Sequence, residues 1–121
     1  MALIESKFLE DGEILTIKVT GTYKAEPTNG RLKEIINMMD AHDSVKCLLD
    51  YRAGVFSPEA LTAINRPKQL ENLGVKNDVK FACVFKKITE DERFFEKIHL
   101  NSGYQLRLFE DENEAIAWLR N

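Results

Sequence analysis

Between residues 45 and 121, short apolar runs and helix-start signals alternate three times, and this succession restricts the fold more than any other feature. The runs are 45–51 (VKCLLDY), 79–85 (VKFACVF) and 105–109 (QLRLF). Each is too short for a buried helix and rich enough in apolar residues for a covered strand. A helix start follows each one. Ser57-Pro58 supplies an N-cap residue and then a proline at the first helical position, where the missing N–H costs nothing. Thr89 and Glu92 have the spacing of a capping box, and so do Asp111 and Glu114. Strands joined through helices lie parallel in one sheet, which makes this an α/β chain.

Upstream, residues 3–9 and 13–20 bracket Glu10-Asp11-Gly12, and the second run alternates apolar with polar residues. This pattern predicts an N-terminal β-hairpin ending at Gly21. From Pro27 to His42, Leu32, Ile35, Ile36 and Met39 recur at helical spacing. The helix that starts at Ser57 meets Pro67, which predicts a bend near Arg66 and a second piece over 68–73 closed by Gly74. The third helix carries Phe94, Phe95 and Ile98 and ends at Asn101-Ser102-Gly103. The fourth carries Ala115, Ile116, Trp118 and Leu119. The expected architecture is a mixed sheet of about five strands, with an N-terminal hairpin, parallel later strands and four helices, in a single domain over residues 1–121.

A 44% hydrophobic content beside 31% charged residues fits one globular core. The formal charge of −3 gives no general attraction to nucleic acid or to an anionic membrane. No run approaches the ~20 apolar residues of a membrane span. The opening MALIESKFLEDGEI has no apolar core of a signal peptide, which implies a cytoplasmic location. Cys47 and Cys83 lie inside apolar runs without CxxC spacing or neighbouring histidines, so they are expected in the core and no metal site is expected. A disulfide would require the two strands to be neighbours, and a reducing compartment opposes it. His42 and His99 fall at predicted helix ends, where a solvated or a C-terminal role is expected.

Residues with chemical potential do not assemble into a catalytic set. Asp50 near a strand's carboxyl end, with Lys86 or Lys87 after another, is similar to the acceptor site of response-regulator receivers. The two further magnesium-binding acids are missing, because Thr20-Gly21-Thr22-Tyr23 stands in their place. No glycine-rich phosphate loop occurs. Ser57 lacks a GxSxG setting and already serves as a helix cap. The acidic groups 90–92 and 110–112 favour helix N-termini rather than acid–base chemistry. Neither an enzymatic activity nor a cofactor is expected. Tyr51, Arg66, Phe94 and Phe95 could line an apolar pocket beside the kinked helix. Phe94 and Phe95 point about 100° apart on their helix, so one of them is expected at the surface.

The hairpin, the LLDYRAG strand, the FSPEAL helix start, VKFACVF and the closing YQLRLFEDENEAIAWLRN together resemble the STAS class of domains, and most closely its SpoIIAA-like branch. Residues 115–119 (AIAWL) match the closing-helix pattern of that branch. The resemblance covers essentially the whole chain and implies a non-enzymatic regulatory domain that works by protein–protein interaction. In the antagonists of anti-sigma factors, a partner kinase phosphorylates a serine in a DSSGL-like string at the helix start. The comparable string here is Ser57-Pro58-Glu59-Ala60-Leu61. With the leucines matched, Glu59 takes the phosphoserine place, Pro58 the preceding serine and Ser57 the aspartate, so the usual switch is missing. The resemblance points to Arg52, Phe56, Ser57 and Glu59 as partner-binding residues. The alternative is a small apolar or lipid-like ligand held between the kinked second helix and the third. An exposed sheet edge or helix face would also support a homodimer.

Overall fold

The computed structural model describes residues 3–9, 13–23, 28–56 and 66–121. Its strands are β1 (Leu3–Phe8), β2 (Ile14–Tyr23), β3 (Lys46–Phe56), β4 (Lys80–Val84) and β5 (Gln105–Phe109). Its helices are α1 (Thr28–Ala41), α2 (Arg66–Asn72), α3 (Glu90–Asn101) and α4 (Glu112–Arg120). The strands form one sheet in the order β1-β2-β3-β4-β5, antiparallel between β1 and β2 and parallel elsewhere. This is the expected mixed sheet. The start of the second helix at Ser57 lies outside the described residues, and α2 begins at Arg66.

Side-chain alternation divides the sheet into two faces. On one, Leu15, Ile17, Val19, Cys47, Phe81, Cys83, Leu106 and Leu108 form a core with Ile35, Ile36 and Met39 of α1, Leu70 of α2 and Phe95 of α3. On the other, Ile14, Leu48, Ala82 and Val84 meet Ala115 and Leu119 of α4. Burial of alternate residues on both sides explains why 45–51 and 79–85 read as continuous apolar runs. Lys80 joins the second face at its margin: its ammonium lies 5.3 Å from the Trp118 ring centroid and donates to the Asn121 carbonyl at 2.8 Å.

Helix ends follow local chemistry. Thr89 and Glu92 form the capping box that starts α3, and Asp111 accepts from the Asn113 and Glu114 amides at the start of α4. At the other end, α1, α2 and α3 close with the same pair of hydrogen bonds. In each, the amide after the turn residue reaches back one full turn: Ser44 to Met39 O at 2.8 Å, Val75 to Leu70 O at 3.0 Å and Tyr104 to His99 O at 3.1 Å. The turn residue is left-handed in every case. Gly74 (φ +80) and Gly103 (φ +89) fill two of these positions, and Asp43 (φ 52) fills the third.

Three expectations need correction. Gly21 does not end β2, which continues to Tyr23 with Gly21 at φ +86. The turn expected after Tyr51 is strand as far as Phe56, because β2 continues beside it. His99 stands in the last turn of α3, as one of the two expected roles requires, but it is 1% exposed and so not solvated. Its Nδ1 lies 2.8 Å from the Phe95 carbonyl and its ring stacks at 4.5 Å on the Phe95 ring, so the helix end is tucked into the core.

Candidate interaction site at the carboxyl ends of the strands

The extension of β3 is built on an irregularity. Lys18 pairs with Asp50 and Thr20 with Ala53, so Val19 is opposed by both Tyr51 and Arg52. One extra residue in a strand makes a bulge, which leaves an amide outside the ladder and increases the local twist. Asp50 meets that need. Its Oδ1 accepts from the Arg52 main-chain amide at 3.1 Å and from Arg52 Nε at 2.9 Å, while Oδ2 accepts from Nη2 at 2.9 Å. The strand bends back on its own side chain.

Beyond the bulge, the main chain of β2 leaves little room beside Gly54 of β3. Gly54 pairs with Gly21, and a Cβ at Gly54 would stand 3.1 Å from the Val19 carbonyl oxygen. β4 pairs with β3 only as far as Val84 opposite Asp50. The upper part of β3 therefore projects past β4, carrying Arg52 and Ala53 exposed and Val55 63% exposed. Phe56 ends it, opposite Tyr23.

Arg52 ties this projection to the start of α4, with Nη2 3.5 Å from Glu112 Oε1. The guanidinium beside Asp50 holds that carboxyl below its ordinary range, chiefly by the side-chain hydrogen bond, and Asp50 in turn raises Arg52. Asp50 is a buried carboxylate paired with the Arg52 guanidinium and attracted more weakly by Lys18. It stands within β3, six residues short of its end, and its bonds to Arg52 leave it ill suited to act as a phosphate acceptor. Around it the rim bears exposed Lys86 and Lys87 after β4, and Glu110, whose carboxylate accepts from the Ile88 amide at 2.8 Å.

The structure distributes the predicted site residues unevenly. Arg52 is on the rim, and Phe56 is at the last position of β3. Ser57 and Glu59 lie outside the described residues. Arg66 is the first residue of α2. Tyr51 and Phe95 belong to the core, with Tyr51 stacked 5.3 Å from Phe85, whereas Phe94 is 41% exposed. Adjacent helical positions thus take opposite environments, as their angular separation requires. Among cavities lined by described residues, one of about 280 Å³ sits at the opposite end of the sheet, between the ends of α1 and α2, and is walled by Ile36, Met39, Val45, Val75 and Val79. Among the described residues, no three His, Cys, Asp or Glu side chains converge as metal ligands, and no helix is long and apolar enough to cross a membrane.

Sequence reasoning missed Asp50 as a partner of Arg52. An Asp-x-Arg spacing on a strand is compatible with such a pair, but only the slipped register makes the amide available.

No family model matches the chain, and no curated protein sequence matches it. Its fold is nevertheless shared with solved structures. An uncharacterised protein of the DUF3478 family with a SpoIIAA-like fold, from Shewanella loihica PV-4, superposes with a TM-score of 0.60 at 18% identity, over 98% of this chain and 93% of the other. An anti-sigma factor antagonist from Mycobacterium paratuberculosis gives 0.64 at 14% identity, over 100% and 96%. The anti-sigma factor antagonist SpoIIAA in its unphosphorylated form gives 0.59 at 11% identity, over 98% and 99%. The chain has the SpoIIAA-like STAS fold.

Proposed function

We infer that this chain is a non-enzymatic regulatory domain that binds a protein partner through the projecting end of β3 and the helix start that follows it. The observation that carries this reading is the bulged, glycine-thinned extension of β3 with Arg52 and Val55 exposed, on a fold shared with two anti-sigma factor antagonists. A projecting strand end offers a partly apolar contact surface, and the Asp50 pairing holds Arg52 in one orientation there.

The reading dispenses with the phosphoserine switch. Glu59 takes the phosphoserine place by sequence, and a glutamate carries a permanent single charge where phosphorylation would add about two on demand. Binding would then be constitutive or controlled through the partner.

Affinity capture from the source cell, quantified by mass spectrometry, tests both parts. A partner enriched by the wild-type chain should be lost with Phe56→Ala combined with Glu59→Lys, at an unchanged melting temperature. The captured chain should carry no added phosphate by intact mass. An identical set of captured proteins with the double variant would rule out this surface.

A further inference from the structure

The two outer strands of the sheet present different edges. β5 closes one side, and its Leu108 amide donates to Glu96 Oε2 of α3 at 2.9 Å. Arg93 holds that carboxylate from the side at 3.0 Å. A side chain thus occupies a main-chain donor that would otherwise recruit another strand.

β1 closes the other side. The Leu9 amide donates to Ile14 O at 3.0 Å, and by the register Lys7, Glu5 and Leu3 face Thr16, Lys18 and Thr20. Alternation in an antiparallel ladder makes these the hydrogen-bonded pairs, so the main-chain groups of Ile4, Ser6 and Phe8 point away from β2. Among the described residues nothing bonds to them. The Ser6 hydroxyl turns instead toward Met38 Sδ at 3.5 Å, and the Phe8 ring lies 4.2 Å from that of His42.

The sequence of β1 is complementary to itself about Ser6. When two copies pair antiparallel on a two-fold axis at Ser6, that serine meets its own copy, Ile4 meets Phe8, and Glu5 meets Lys7. The parity agrees with the structure: the outward-facing positions 4, 6 and 8 meet as hydrogen-bonded pairs, which gives roughly six main-chain bonds. Glu5 and Lys7, both exposed in the single chain, meet in the non-hydrogen-bonded pairs, where side chains approach most closely. Slipped registers that keep the same parity are penalised, because they set Glu5 against Glu5 or Lys7 against Lys7. α1 packs Ile35, Ile36 and Met39 into the same core as Leu15 and Ile17 and sets Met38 and His42 against Ser6 and Phe8 of β1, so the two copies of α1 would flank the seam on one face of the joined sheet.

We propose that the chain forms a two-fold homodimer by antiparallel pairing of β1 with β1 of a second copy, producing one continuous sheet with Glu5–Lys7 pairs across the seam. This surface is separate from the projecting end of β3, and the proposal stands independently of the partner-binding reading.

Sedimentation velocity over a range of concentrations tests it. The wild-type chain should show a monomer–dimer equilibrium. Ser6→Pro should give a monomer with the circular dichroism and melting temperature of the wild type, since the Ser6 amide has no partner among the described residues and edge strands tolerate proline there. Lys7→Glu should raise the dissociation constant roughly tenfold or more, and adding Glu5→Lys to it should restore the wild-type value within about threefold. A wild-type chain that stays monomeric at millimolar concentration overturns the proposal. So does a dimer indifferent to Ser6→Pro, or one that the charge swap fails to rescue.

Discussion

Asp50 and Arg52 stand two positions apart on one strand, yet the Asp50 carboxylate holds both the Arg52 guanidinium and the Arg52 main-chain amide, at 2.9 to 3.1 Å. The bulge opposite Val19 makes this possible, and the carboxylate supplies the acceptor that the slipped ladder removes. Asp50→Asn retains the shape but loses one charge-assisted bond, because an amide nitrogen cannot accept from Arg52, and weakens those at the remaining oxygen. It should cost about 1–2 kcal/mol, a value reduced by the exposure of Arg52. Urea unfolding of the two proteins at neutral pH measures the difference.

The same pair gives a pH signature. Arg52 lowers the folded-state pKa of Asp50 below its ordinary 3.8, so the folded chain binds the proton less readily than the unfolded chain. The stabilisation is complete above pH ~4 and disappears as pH falls through the depressed folded value. The stability gap between wild type and Asp50→Asn should be constant from pH 7 down to pH ~5 and should close at still lower pH. A gap that widens on acidification would contradict the assignment.

Asp43 holds the left-handed position that Gly74 and Gly103 hold at the ends of α2 and α3. An L-residue there bears steric strain that glycine avoids. Asp43→Gly should raise stability by about 0.5–1 kcal/mol, whereas Gly103→Ala should lower it by about 1 kcal/mol. At Gly103 the added methyl meets nothing within 4 Å, so that loss would come from backbone conformation alone. Thermal melts of the two variants should shift in opposite directions.

What could be read from the sequence follows how local the cause is. The parallel strands, the capping box at Thr89 and Glu92, the N-cap at Asp111 and the glycine closures at 74 and 103 depend on neighbours within a turn, and all of them stand out in the chain. Asp43 did not, because aspartate signals a turn without declaring positive φ. The end of β3 was obscured for a different reason. Residues 52–54 (RAG) lack alternation and contain glycine, which reads as a turn, but the strand continues because β2 lies alongside with Gly21 opposite Gly54. The burial of His99 is likewise set by the docking of α3 on the sheet. The split between Phe94 and Phe95 could be anticipated as geometry, though which of them faced solvent could not.

Cys47 and Cys83 occupy adjacent strands on the same face, yet Cys47 pairs with Phe81 and Cys83 with Leu49, so the two sulfurs are offset along the ladder. Neither is in a disulfide and both are fully buried, and burial pushes the Cys47 thiol up to about 12. An aromatic disulfide reagent at pH 8 should leave both thiols unmodified in the folded protein and titrate both in guanidinium. Burial keeps the reagent from both sulfurs, and at Cys47 it also suppresses the reactive thiolate. Rapid labelling of the native chain would show that the β3–β4 core opens readily.

Gly54 and Gly103 allow two kinds of glycine requirement to be separated. Gly54 is not among the positive-φ residues, so alanine there meets no conformational penalty of the Gly103 kind. Its methyl would instead press on main chain, 3.1 Å from the Val19 carbonyl oxygen and 3.4 Å from that of Gly21, and main chain cannot rotate aside as a side chain can. β2 and β3 must then part by a few tenths of an ångström beside Gly54. Gly54→Ala should cost about 1–3 kcal/mol, in the range of other overpacked sites. The discriminating measurement is amide chemical shift. The resonances of residues 19–21 and of Arg52 should move in Gly54→Ala, because the strain spreads through the ladder into the Asp50–Arg52 bonds. They should stay in place in Gly103→Ala, even if the two variants lose the same stability.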